Sequence, residues 1–337
     1  MTEHSMALDA PAARRSPRHP AIRALAVAAA VALAYWLPSW LGGSPLTYGF
    51  FVTLAIFSVM AVGVDIVLSY LGEVSLGHTI FWAIGGYSAA ILSTSWDANG
   101  WITAATAVGL AVLAAAFLGW ATLKTREFVF SLATYAAAVV AGEIAFNTDA
   151  LGGSDGIVGI PALRLPLGFA EFSGRSNQEL WPLALLLLVL SIYFVDRFRR
   201  SRLGTEALMV QMNPPLAIAS GLDIRKVRFR VFVVSAPITA LAGWLYGYQR
   251  AYVGPDMFDM YFLTLMLTAV IVVGRRVLLG PLIGVALILL QQNYFSIGGD
   301  GNKVVLGAVL AFVLIVWPQG LAGLARRIWR ARAQPRS

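Results

Sequence analysis

The residues most able to contact a polar ligand lie in one short stretch between two apolar runs. Glu73, Ser75 and His78 supply a carboxylate, a hydroxyl and an imidazole, with Gly72 and Gly77 among them. Glycine weakens a helix because it loses more conformational freedom on folding than other residues. The stretch therefore predicts either a broken helix that exposes a polar site, or a helix end where Ser75 and His78 cap backbone groups.

Other kinds of chemistry are excluded by what the chain lacks. It has no Cys and three His, of which His4 and His19 lie in a basic tail, so no metal cluster is expected. A glycine-rich stretch consists of Gly152, Gly153, Ser154, Asp155 and Gly156. It lacks the Lys of a nucleotide-binding loop. We therefore expect no catalytic residue, no cofactor and no metal site.

Composition places the chain in a membrane. Of its 337 residues 58% are apolar and 12% are charged, and its mean hydropathy is +0.74. A soluble domain carries about 25% charged residues, so too few charges are present here to coat a water-soluble surface. The net charge of +8 does not indicate nucleic-acid binding, because membrane proteins gather Lys and Arg in their cytoplasmic loops.

Apolar runs predict an all-α polytopic protein with about ten transmembrane helices. Each run is close to the roughly 20 residues that cross a bilayer. The predicted segments are 22–41, 48–70, 74–92, 101–121, 127–147, 181–196, 229–247, 259–274, 277–293 and 304–317. Residues 1–20 are predicted to be a disordered basic tail, 21–326 the membrane domain and 327–337 a second basic tail.

Basic residues then predict the sidedness of this arrangement. With the N-terminus in the cytoplasm, 21 of the 25 Lys and Arg fall on the inside. Both termini are therefore predicted to be cytoplasmic. The long loop 148–180 falls outside, and the long basic loop 197–228 falls inside.

The inside loop contains a short apolar stretch, 214–222, that predicts a helix at the cytoplasmic face. Asn213 followed by Pro214 is typical of an N-cap and a first helical residue. Gly221 and Asp223 are expected to end the helix.

Two carboxylates, Asp65 and Glu143, lie inside predicted spans. Ionisable groups at membrane depth are costly and are usually functional, although a hydrogen bond to a neighbouring helix would also explain them. As functional groups, they would suit a self-sufficient proton-coupled carrier.

Several motifs in order resemble the permease subunits of ABC importers for branched-chain amino acids, specifically the longer, LivM-type member of the permease pair. The similarity runs from about residue 48 to 326. The motifs that carry it are Gly72-Glu73-Val74-Ser75-Leu76-Gly77-His78 with Gly85-Gly86-Tyr87, then GGSDGIVGIP at 152–161, Arg202-Leu203-Gly204, Leu241-Ala242-Gly243-Trp244, Gly280-Pro281-x-x-Gly284 and Pro318-x-Gly320-Leu321.

The resemblance implies an importer of branched-chain or other small amino acids in the bacterial inner membrane. Its partners would be membrane lipid, a second permease in a heterodimer, two cytoplasmic ATPases and a periplasmic binding protein. Related permeases serve urea and short amides, so this alternative stays open.

The resemblance also assigns expected roles to residues. The translocation pathway would use Asp65, Glu73, Ser75, Gly77, His78 and Tyr87. Coupling to an ATPase would use Pro214, Leu216, Ile218 and Gly221. The binding protein would face the stretch from Gly152 to Gly156.

Four departures from the family pattern stand out. Asp65 replaces a common Asn, and Glu73 replaces a common Gln. Arg275 and Arg276 lie where small residues are usual, and the segment 207–215 carries fewer charges than the family's cytoplasmic helix.

Overall fold

The computed structural model describes residues 20–122, 127–166, 168, 171–294, 301, 304, 305, 307–309 and 312. Its helices are α1 (Pro20–Trp40), α2 (Pro45–Tyr70), α3 (His78–Ser95), α4 (Gly100–Thr122), α5 (Glu127–Phe146), α6 (Asn177–Phe198), α7 (Arg202–Met212), α8 (Pro214–Ala219), α9 (Ile224–Arg250), α10 (Met260–Val273) and α11 (Gly280–Tyr294).

The helical membrane protein predicted from composition is confirmed. Within the described residues, five helices are long and apolar enough to cross a membrane: α2, α4, α5, α6 and α9. Nine of the ten predicted segments coincide with a helix. The tenth, 304–317, lies largely outside the described residues, as do the tail 1–19, Lys124, Arg126, the closing motif at 318–324 and the tail 327–337.

Short strands, which the all-α prediction did not include, occupy the loop after α5. They are β1 (Ile157–Val158), β2 (Leu163–Pro166), β3 (Glu171–Gly174) and, after α9, β4 (Tyr252–Val253). β1 pairs with β4 and β2 pairs with β3, both antiparallel. Short 3-10 turns cover Asp149–Leu151, Gly153–Asp155 and Pro255–Phe258.

Two helices begin earlier than hydropathy predicts because polar caps start them. The Ser176 hydroxyl accepts from the Glu179 N–H and the Glu179 carboxylate accepts from the Ser176 N–H, a capping box that starts α6 inside the predicted loop. Asp223 was expected to end the preceding helix, and this prediction was wrong. Its side chain accepts from the Lys226 N–H and starts α9.

The centre of the bundle is α2, which packs against α6, α9, α10 and α11. In its most apolar window 83% of residues are buried, against 22% in α5. α2 is therefore a core helix, whereas α5 leaves most of its surface for lipid or another protein.

Glycines bring α3 and α9 into direct backbone contact. A Cβ on Gly85 would lie 1.9 Å from the Ala240 carbonyl oxygen, and one on Gly243 would lie 1.9 Å from the Trp82 carbonyl oxygen. Close approach of this kind replaces the hydrophobic driving force that lipid does not supply.

The bundle has two ends that differ in construction. We call the end formed by 71–77, 197–228 and 274–279 the basic end. The opposite end, formed by 148–176 and 251–259, is the strand end. This opposition agrees with the alternation of loops that the basic residues predict.

Candidate functional site

A buried ion pair lies at the basic end, between the α2–α3 connection and α9. The Arg228 Nε atom lies 2.5 Å from a Glu73 carboxylate oxygen, and the two side chains are only 6% and 11% exposed. The Arg228 guanidinium also lies over the Phe130 ring at 5.8 Å from its centroid. At this depth each charge needs the other, because desolvating a lone ion is expensive.

The ion pair forms part of the wall of a cleft of about 1190 Å³. Apolar side chains from the α2–α3 connection, α7, α8 and the residues after it form much of the remaining wall, among them Val74, Val210, Ile218 and Leu222. Arg225 and Arg275 lie at the same cleft and are exposed. The cleft thus combines apolar side chains with charges of both signs, since Asp223 also lines it.

His78, the first residue of α3, contacts one hydroxyl group on the α2–α3 connection and one on α9. Its Nδ1 lies 2.8 Å from the Ser75 Oγ, and its Nε2 lies 3.2 Å from the Ser235 Oγ. Ser235 donates its own proton to the Phe232 carbonyl, 2.7 Å away. The Ser235 oxygen must therefore accept from the His78 Nε2–H, which leaves Nδ1 to accept from Ser75.

The α2–α3 connection is also tied to α5. Ser131 donates to the Val74 carbonyl over 2.6 Å, and the Leu76 N–H donates to the Thr134 hydroxyl over 3.2 Å. A Cβ on Gly77 would lie 2.8 Å from the Thr134 carbonyl oxygen. Glycine is needed there because any side chain would push the connection off α5.

Asp65 belongs to a separate polar chain at the end of α2. It accepts a 2.5 Å hydrogen bond from Ser69, whose hydroxyl accepts in turn from the Arg276 N–H at 3.0 Å. The Arg276 Nε donates to the Ser69 carbonyl over 3.1 Å. A guanidinium at the carboxyl end of a helix also complements the helix dipole. Asp65 and Arg276, two departures from the family pattern, thus act on the same residue.

The predicted pathway residues therefore do not form one cluster. Glu73, Ser75, Gly77 and His78 lie together at the basic end, and Asp65 lies one turn inside α2. Tyr87 is further along α3, roughly 14 Å from His78 at 1.5 Å per residue. Its ring packs against Phe258 at the strand end, 6.3 Å between centroids.

Glu143 lies apart from Asp65. It is exposed near the strand end of α5, whereas Asp65 is buried near the basic end of α2. The Asn147 side chain, one turn further on, donates to the Glu143 carbonyl oxygen over 2.8 Å.

Helix α8 has the cap that its sequence predicts. The Asn213 side chain accepts from the Leu216 N–H at 3.1 Å, and Pro214 is the first helical residue. Leu216 and Ile218 are 57% and 59% exposed, while Ala217 between them is fully buried. Gly221 follows the helix with a φ of +80°, a left-handed conformation that favours glycine.

The glycine-rich stretch forms tight turns at the strand end. Gly152, Gly153 and Gly156 all have positive φ, and Gly156 lies against Val253 of β4. Ser154 and Asp155 are exposed between them.

Arg228 and Ser235 were not identified from the sequence as site residues. Arg228 was counted only as one of the inside charges. Glu73, a carboxylate in place of a common Gln, was the available signal, because a buried carboxylate requires a cation.

Comparison with known proteins finds a matching family. Residues 46–314 match the model of a family described as branched-chain amino acid transport system permease components. No solved structure matches the chain.

Curated relatives are similar over most of the chain. The high-affinity branched-chain amino acid transport system permease protein LivM of Escherichia coli K12 is 25% identical over 80% of this chain and 68% of its own length. LivM of Salmonella typhimurium is 26% identical over the same shares. LivH of Escherichia coli K12 is 25% identical over 79% of this chain and 91% of its own length. With the family model matching far more than half of it, the chain belongs to the family of branched-chain amino acid transport permease components.

Proposed function

We propose that the protein is a membrane-spanning permease subunit of an ABC importer, which carries branched-chain or other small amino acids across the bacterial inner membrane. As a member of this family it is a transport component and not an enzyme. The observation that carries the proposal beyond family membership is the pair of exposed apolar residues on α8, Leu216 and Ile218, at the basic end. Exposed apolar side chains in a polar loop favour a protein contact.

The proposed topology has ten spans and both termini in the cytoplasm. The agreement of α1–α6 and α9–α11 with the predicted segments supports it. The basic end would then face the cytoplasm, and the strand end would face the periplasm.

The proposed partners follow from that orientation. Two ATPase subunits would bind at the basic end, one of them against α8 through Pro214, Leu216, Ile218 and Gly221. A periplasmic binding protein would contact the strand end at the stretch from Gly152 to Gly156. A second permease would complete a heterodimer, and the weakly buried α5 is available to it or to lipid.

The pathway is proposed to run past the α2–α3 connection, where Glu73, Ser75 and His78 lie. The bonds of His78 to Ser75 and Ser235 suit a role in which the imidazole holds the connection against α9. Gly77 would allow the connection to lie against α5, and Asp65 would hold the end of α2 through Ser69. Tyr87 would act nearer the strand end.

The alternatives have less support. A proton-coupled carrier would need Asp65 and Glu143 to act together, yet they lie near opposite ends of the bundle. A permease for urea or short amides would share this fold, and the relatives' names favour amino acids.

Transport by the assembled complex tests the proposal. The chain, with a second permease, two ATPases and a binding protein, should take up leucine into proteoliposomes only with ATP. Uptake by the purified chain alone under a proton gradient would show that the ABC assignment is wrong.

The coupling contact has its own test. Replacing both Leu216 and Ile218 with Asp should reduce co-purification of the ATPase by at least about 10-fold, as expected for loss of a central apolar anchor. Ala219→Asp, on the same helix, is the matched control and should leave co-purification largely intact. Equal retention of the ATPase by all variants would reject the role of α8.

A further inference from the structure

We propose that Arg276 is a positioning residue for transport, which fixes the pair of helices α7 and α8 to the end of the core helix α2. We call this pair of helices the arm. A displacement of α8 by a bound ATPase would then be passed to α2 through Arg276. The inference rests on the proposed function, because it takes α8 as the ATPase contact.

The first argument is that Arg276 joins three elements of the basic end. It lies in the connection between α10 and α11. Its backbone N–H and its Nε both donate to Ser69 in the last turn of α2, over 3.0 and 3.1 Å. Its Nη2 donates to the Oε1 of Gln211, on α7. A guanidinium can bind both partners because its donors lie in a fixed planar fork. One side chain therefore holds the end of α2 to the arm.

The second argument is that both ends of this link are themselves fixed. Ser69 donates to Asp65, one turn inside α2, and both side chains are buried. Gln211 lies shortly before Asn213, whose side chain caps α8. It also lies against the α2–α3 connection, where a Cβ on Gly72 would be 2.9 Å from the Gln211 Nε2. The link therefore runs from the interior of the core helix to the start of α8.

The third argument is the backbone conformation of Arg276. Its φ is +63°, in the left-handed region, close to Gly274 at +113°. A residue with a side chain loses free energy there, because its Cβ crowds the following carbonyl oxygen. The contacts with Ser69 and Gln211 hold Arg276 in this conformation. Backbone strain that is kept in this way favours a specific role over a passive turn.

Transport by the complex gives the main test. In proteoliposomes, Arg276→Ala should lower leucine uptake per ATP hydrolysed by at least about 5-fold, the lower end of the usual coupling between two sites. Co-purification of the ATPase and its basal hydrolysis should be unchanged, because α8 keeps its own cap and its exposed side chains. Arg275→Ala removes the same charge from the adjacent exposed residue and is the matched control. Equal coupling in the original protein and Arg276→Ala would overturn the inference.

Two further variants separate the link from the charge. Arg276→Lys keeps the positive charge and the backbone N–H but loses the fork, so it should couple as poorly as Arg276→Ala. Gln211→Ala removes the other partner and should have the same effect. The double variant should be no worse than either single one, because both break one link. Normal coupling in Arg276→Lys, or additive losses in the double variant, would contradict the role assigned to Arg276.

A distance measurement on the chain alone tests the link without any partner. The chain has no Cys, so spin labels attach only at the introduced Leu46→Cys and Ser220→Cys. Leu46 is exposed at the start of α2, and Ser220 is exposed directly after α8. In nanodiscs, Arg276→Ala and Gln211→Ala should broaden the distribution of distances between the labels, and Arg275→Ala should not. An unchanged distribution in the first two variants would reject the link.

The two measurements keep this inference apart from the proposed function. A broadened distribution, together with no ATP-dependent uptake by the original complex, would reject the proposed function and leave the link between the arm and α2 intact. ATP-dependent uptake together with an unchanged distribution would reject the link and leave the proposed function intact.

Discussion

The two ends of the bundle are held together by different forces. The strand end is stabilised mainly by backbone hydrogen bonds. β1 pairs with β4, β2 pairs with β3, and glycines allow the turns between them. The basic end is stabilised mainly by polar side chains. Glu73 pairs with Arg228, and Arg276 donates to Ser69.

This difference bears on which end can change during a transport cycle. A backbone ladder with glycine turns has one geometry, because a one-residue slip would reverse every side chain. Charged side chains can exchange one partner for another at little cost when a new partner is present. The basic end is therefore the end suited to rearrangement, and the strand end is suited to stay fixed.

The largest effect is expected from breaking the ion pair at the basic end. Arg228→Met should destabilise the protein by about 3–5 kcal/mol, because it leaves the Glu73 carboxylate buried without its guanidinium. Thermal unfolding in detergent, monitored as the loss of monodisperse protein on heating, measures this change in stability.

The double variant Glu73→Gln with Arg228→Met is the control for that experiment. It removes both charges and should recover most of the stability, since no buried ion is then left without a partner. If the double variant is no more stable than the single one, lost packing and not the buried charge explains the effect.

A smaller effect is expected at the strand end. Gly156 has φ +71° and ψ −175°, and a Cβ there would lie 2.7 Å from the Val253 carbonyl oxygen. Gly156→Ala should cost about 1–3 kcal/mol and loosen the β1–β4 pair. Limited proteolysis of residues 148–176 reports the loosening.

Gly159→Ala is the matched variant for this position. Gly159 has a similar φ of +72°, but no atom lies within 4 Å of the added Cβ. Gly159→Ala should lower the free energy of unfolding only by the backbone strain, about 1–2 kcal/mol. Equal protease sensitivity of the two variants would mean that contact with β4 does not matter.

The smallest effect concerns pH and has opposite signs at the two ends. Partial burial raises the pKa of the Asp256 carboxyl above its ordinary 3.8. Its charged form therefore costs stability as pH rises through the raised value, and Asp256→Asn should stabilise the protein increasingly as pH rises from 3.8 through that raised pKa.

Asp223, at the basic end, provides the contrast. The Lys226 N–H holds the pKa of Asp223 below 3.8. Its contribution to stability is present above that value and is lost as pH falls through the lowered pKa. Asp223→Asn should therefore never stabilise near pH 7. An Asp256→Asn melting curve that runs parallel to the original protein from about pH 4 to 7 would contradict the first prediction. An Asp223→Asn variant whose difference from the original protein does not shrink as pH falls below 3.8 would contradict the second.

Local signals predicted most of the helices and little of the site. Apolar length located α2, α4, α5 and α6, and Asn213-Pro214 located the start of α8, because hydropathy and capping depend on neighbouring residues. The capping box of Ser176 and Glu179 was equally local and was overlooked.

The strands and the buried ion pair were not predicted because they depend on contacts between residues far apart in sequence. Strand β1 has two residues and exists because Val253 lies opposite Ile157. Likewise, nothing around Arg228 indicates that Glu73 is its partner. Such contacts depend on how α3 and α9 cross, and a single sequence does not contain that information in any local pattern.

The contact of α3 with α9 through Gly85 and Gly243 has a mechanical consequence. With carbonyl groups seated where side chains would otherwise be, neither helix can slide along the other without collision. The two should therefore turn together as one lever. A tilt begun at the basic end would therefore be carried along both helices to the strand end, where the paired strands resist it.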